Sequence, residues 1–145
     1  MRILFCALVF ILCVSLLIGC SKENENIVDL KNTQKVEIVT VDEPESILNT
    51  LEHQEEIDDF VQKLKVDSWS YDSIPADAIE CNMFKIYQPE TVKLDGDQLE
   101  RKAQLVAIIT IFQEGPYIKF ETKHSTINFK APVDVIEYLY SLIEG

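Results

Sequence analysis

Residues 105–112 read LVAIITIF, apolar on both alternating faces. A strand with that pattern is covered from both sides, so it belongs at the centre of a sheet. Three further segments rich in Ile, Val, Phe, Thr and Tyr read as strands: 79–88, 117–123 and 126–130. Glu114-Gly115-Pro116 supplies a hairpin connection between the central strand and the next. Residues 35–41 (KVEIVTV) alternate in the manner of another strand, and Pro44 lies in the turn after it. Residues 47–51 fit either a short strand or the first turns of a helix. Two helices complete the set. In 55–65, Ile57, Phe60, Val61 and Leu64 make one apolar stripe, with acids in the first turn and Lys63 and Lys65 in the last. The final helix begins at Pro132, and Val133, Ile136, Leu139, Tyr140 and Ile143 are its expected buried positions. The fold class expected is α+β: a small, largely antiparallel sheet with two packed helices.

The other strong signal lies at the start of the chain. Residues 1–20 read MRILFCALVFILCVSLLIGC, with Arg2 the single charge. The apolar run covers roughly 16 residues, short of the about 20 that span a bilayer, and small residues close it. Leu17-Ile18-Gly19-Cys20 resembles the lipobox of bacterial lipoproteins. The resemblance implies a diacylglycerol thioether on Cys20, palmitate-type acylation, and cleavage between Gly19 and Cys20. The plain alternative is an uncleaved signal anchor in which Cys20 is incidental. Residues 1–19 are then the signal peptide, 20–34 the lipidated Cys with a flexible polar tether, and 35–145 a single extracytoplasmic domain.

That places the protein at the cell membrane, held by lipid on the extracytoplasmic face. Eleven of the 13 basic residues are Lys, a composition of AT-rich genomes that points to a Gram-positive source. In a Gram-negative source Ser21 resembles the residue that permits outer-membrane sorting. Without Arg2 the processed chain carries 12 basic against 25 acidic residues, a charge of −13. Anionic lipid repels such a domain, so it stands off the bilayer. The same charge argues against a nucleic-acid partner, because neutralising phosphates needs a basic surface.

Chemistry-bearing motifs are sparse. The sequence contains no G-x-S-x-G, P-loop, H-E-x-x-H, C-x-x-C or S-x-x-K motif. After processing, Cys20 and Cys81 remain; Cys20 carries lipid and Cys81 is a lone thiol. Neither His53 nor His124 is tied to Cys81 by a motif, and Cys81, placed on one strand face with Ile79 and Met83, reads as a small hydrophobe. Asp95-Gly96-Asp97 has the opening of a calcium loop, but Leu99, Arg101 and Val106 stand where ligands would be needed, so it reads as a turn. No metal site, no cofactor beyond the covalent lipid and no enzyme activity are expected.

Two surfaces remain as candidates. Residues 41–60 hold eight acids and no Lys or Arg. Within them Glu55, Glu56, Asp58 and Asp59 form a candidate contact surface for another envelope protein, against the blander reading of a solvated helix face. Trp69 and Tyr71, in the turn-rich segment 66–78, are either core packers or a platform for a small molecule or ion. Helix EEIDDF, Trp69-Ser70, Ile74-Pro75-Ala76-Asp77-Ala78 and Ile86-Tyr87-Gln88 together resemble small uncharacterised lipoproteins of Bacillus and its relatives. That resemblance spans about a third of the domain and carries over no catalytic residue. The function expected is a non-enzymatic lipoprotein acting as adaptor or inhibitor of another envelope protein; the alternative is a binding module built on the Trp69/Tyr71 loop.

Overall fold

In the computed structural model, residues 29–90 and 102–145 are described. The lipobox, Cys20, the start of the tether and Asp95-Gly96-Asp97 lie outside them. Seven strands form one sheet in which every neighbouring pair is antiparallel. They are β1 (Lys35–Thr40), β2 (Ile47–Leu51), β3 (Ser70–Tyr71), β4 (Glu80–Pro89), β5 (Ala103–Phe112), β6 (Tyr117–Thr122) and β7 (Thr126–Lys130). The spatial order is β2-β1-β4-β5-β6-β7-β3. Helices α1 (Gln54–Leu64) and α2 (Val133–Glu144) complete the α+β fold. Among the described residues no helix is long and apolar enough to cross a membrane.

β5 lies fourth of the seven strands, buried on both faces from Ile109 to Phe112, whereas Leu105 is 43% exposed and Val106 and Ile108 are half-buried. Ala107, Ile109 and Ile111 join Val36, Ile38, Phe84, Ile86, Ile118, Phe120 and Phe129 in the main core. Ile57, Phe60 and Leu64 of α1 and Val135 and Leu139 of α2 close that core, so both helices cover the same face of the sheet. On the reverse face the register aligns Glu37, Lys85, Ile108 and Glu121 in one row and Val39, Met83, Thr110 and Lys119 in the next. Val39, Thr110 and Phe112 are buried even there. Long polar side chains lie across this face: Lys119 bonds Glu80 at 2.5 Å, and Lys85 donates to the Pro44 carbonyl at 2.7 Å.

Residues 47–51, open between strand and helix, are a strand. Three details depart from the expectations. Leu30, in the stretch read as tether, reaches the core, and the Gln34 N–H donates to the Tyr87 carbonyl. On α2, Val135 is buried and Val133 is 66% exposed. Finally, Glu80 pairs with Phe112 and Asn82 with Ile111, leaving Cys81 as an extra residue in a β-bulge. The bulge turns Cys81 to the helical face, against the core, instead of aligning it with Met83.

Gly115, in the β5–β6 turn, has φ +86°, and a Cβ there would stand 2.8 Å from the Tyr117 ring. A glycine is needed both for the backbone and for the close approach.

Candidate functional site

The acidic helix face is built by the same residues that start α1. Glu56 accepts the His53 N–H at 3.4 Å, satisfying one amide at the helix entry. Asp58 accepts from Gln54 at 2.8 Å. Asp59 is more deeply committed. It pairs with Lys63 at 2.9 Å and accepts the Tyr138 hydroxyl at 3.5 Å, while Lys63 lies 4.9 Å above the Tyr138 ring. A second ion pair, Lys65 with Asp134, crosses the same seam between the two helices. Thus Glu56 and Asp59 hold the fold, whereas Glu55 and Asp58 are exposed and can meet a partner without disturbing it.

Trp69 and Tyr71 diverge. The Trp69 indole N–H donates to the Leu64 carbonyl at 2.8 Å, and its ring packs against Phe120 and Phe129, leaving it 6% exposed. It ties the end of α1 to β6 and β7. Tyr71 is 61% exposed and stacks on Phe129 with centroids 5.1 Å apart. One ring is core and the other surface, so they do not form a common platform.

Cys81 faces the Ile111 carbonyl (3.4 Å) and the Tyr140 hydroxyl (3.8 Å). Burial pushes its thiol above the ordinary range, opposing the thiolate that a nucleophile needs. His53 caps α1 and His124 sits in the β6–β7 turn. No group of three or more His, Cys, Asp or Glu among the described residues could hold a metal ion.

The tyrosines carry the largest electrostatic signature. Burial, then the bond to Glu37 (2.7 Å), pushes Tyr87 up to about 12. Tyr138, half-buried and beside Asp59, and Tyr140, half-buried and beside Cys81, also rise to about 12, partial burial being the larger cause in each. Tyr140 donates to the Phe112 carbonyl at 2.5 Å. In turn, burial pushes the Glu37 carboxyl up, but the Lys35 and Tyr87 bonds outweigh it and hold it below the usual range. The folded state therefore binds the three phenolic protons more tightly than the unfolded chain does. Their contribution to stability is complete below pH about 10 and is lost as pH rises from about 10 towards 12. Alkaline titration of a Tyr71→Phe, Tyr117→Phe chain, followed by tyrosinate absorbance and circular dichroism, checks this: the three remaining rings are expected to ionise well above pH 10, and their ionisation near 10 in a still-folded domain would refute it.

Two features were not legible in the sequence. A cleft of about 450 Å³ opens between Pro75, Asp77, Ala78 and Ile79 on one side and Gln113, Glu114, Gly115 and Tyr117 on the other. The second is the margin of the sheet at β2, where Ile47 and Leu48 are 52% and 48% exposed. Both depend on long-range pairing. Comparison of the chain with protein-family models, curated proteins and solved structures returns no match in any of the three.

Proposed function

We propose that this chain is a bacterial lipoprotein, anchored through Cys20 at the extracytoplasmic face of the cell membrane, whose α+β domain contacts another envelope protein. The observation that carries the reading is Leu17-Ile18-Gly19-Cys20, a cleavable lipidation signal at the end of the apolar run, ahead of a polar tether. The domain reads as a binding surface rather than a catalyst. Its Cys81 thiol is raised by burial, and each His is placed at a cap or a turn. Glu55 and Asp58 present charge that a basic partner would complement, which favours specificity and rapid association more than raw affinity.

Charge reversal tests the contact. The pair Glu55→Lys and Asp58→Lys spares the Glu56 bond at the α1 entry and the Asp59–Tyr138 seam, and circular dichroism checks that the fold survives. In situ crosslinking in the native envelope is expected to lose the partner with this pair and keep it with Val133→Lys, an exposed change on α2. Equal crosslinking by both variants would remove the acidic face from the proposal. A second reading, a small-molecule or ion-binding module, is supported by the cleft beside Ile79 and Tyr117. A ligand there would be sensed by those two residues and not by the buried Trp69.

A further inference from the structure

The sheet has two margins, and they differ. The β3 margin is two residues long, a blunt edge that offers little to pair with. The β2 margin is five residues long, and no described strand pairs with its outer side. Its second half is already occupied from within the chain: Asn49 accepts the Thr50 N–H at 2.8 Å and donates to the Leu142 carbonyl of α2 at 3.2 Å. The first half is different. The register passes from Ile38–Asn49 to Val39–Ile47, so Leu48 has no partner on β1. Ile47 and Leu48 together form an exposed apolar step at the open end of the strand.

Charge around that step selects its occupant. Asp42, Glu43 and Glu45 precede it and Glu52, Glu55 and Glu56 follow it, with no Lys or Arg from 41 to 60; Lys85 of β4 reaches this turn but is committed to the Pro44 carbonyl. Antiparallel pairing of two copies through β2 would bring the acids before the strand in one copy beside the acids after it in the other. Like charges across such an edge are destabilising, which disfavours a second copy. A segment carrying Lys or Arg at both ends reverses the sign of every one of those encounters. Strand addition supplies main-chain hydrogen bonds for affinity and side-chain alternation for specificity.

We propose that the Ile47–Leu48 end of β2 accepts a short extended segment of the partner, apolar at alternating positions and flanked by Lys or Arg, as an added strand. This rests on the partner-contact reading above and names the chemistry of that partner. Full-length chain in detergent micelles would be offered a pool of synthetic extended peptides with alternating apolar positions and Lys, Ser or Glu flanks. Retention of Lys-flanked peptides is expected, with new hydrogen-exchange protection at Leu48. The Leu48→Lys variant, folded by circular dichroism, is expected to retain them about tenfold less or worse. Retention of Glu-flanked peptides to the same degree, no retention of any peptide, or undiminished binding by Leu48→Lys would overturn the proposal. So would disulfide-linked dimers of a Leu48→Cys chain forming through β2 in place of peptide binding. If the edge fails while the Glu55/Asp58 pair still abolishes crosslinking, the partner reading stands and only its docking mode falls; failure of both removes the partner reading itself.

Discussion

With alanine at position 69 the domain is expected to lose about 3–5 kcal/mol of stability, the range for removing a large aromatic side chain from a core. Three losses coincide at that position. The indole fills the space between Phe120 and Phe129. Its N–H satisfies the Leu64 carbonyl at the last turn of α1, which has no further helical residue to serve it. Its burial also fastens the chain as it leaves α1 for β3. Domains of this size hold roughly 5–15 kcal/mol in all, so the variant would keep a fraction of the native margin. Urea unfolding followed by circular dichroism measures the change, since the variant removes the chain's single Trp. Trp69→Phe should fall between the two, because it keeps ring contact and drops the hydrogen bond. A loss under about 1 kcal/mol for alanine would mean that Trp69 is peripheral to the core, and would return it to the surface as a ligand platform.

The second large effect is all-or-none. A Cys20→Ala chain is expected to incorporate no fatty acid during growth, whereas the native chain is expected to incorporate it and to begin at Cys20 by mass. Each buried methylene of an acyl chain contributes about 0.8 kcal/mol; one chain gives only marginal binding, but two make an anchor that does not come off on the timescale of growth. Undiminished labelling of the variant, or a native chain that still begins at Met1, would leave the apolar run as an ordinary signal anchor and withdraw the lipoprotein proposal.

Much of the fold was written locally. The two-sided apolar pattern of β5, the alternation of β1 and the stripe Ile57, Phe60, Leu64 each record burial within a single element, and the sheet with two helices follows from them. Pairing between distant elements is not recorded in that way. Residues 47–51 are too few to separate strand from helix, and only pairing with β1 decides the matter. The bulge at Cys81 adds one residue opposite Ile111, so counting by twos along the strand places Cys81 on the wrong face. Val133 and Val135 are alike in sequence, and only the docking angle of α2 chooses the second for the core. The exposed step at Ile47 and Leu48 was hidden for the same reason: a strand is marginal only once the order of the others is known. Trp69 and Tyr71, two residues apart, looked equivalent until β7 took one ring into the core and left the other on the outside of Phe129.

The direction of the strands has a consequence for height above the bilayer. The Gln34–Tyr87 and Gln88–Asp29 hydrogen bonds place the first described residues beside the end of β4 and the start of β5. The β5–β6 turn, the cleft by Tyr117 and the acidic turn before β2 all lie at the opposite end of the strands. Ten residues of β5 at about 3.3 Å each separate the two ends by roughly 33 Å. If Cys20 is held at the membrane as proposed, the first described residues form the rim nearer the bilayer. The domain would then hang by its lower rim, holding its acidic upper rim several nanometres out, at the level of what approaches from the cell wall or the medium rather than of the lipid headgroups.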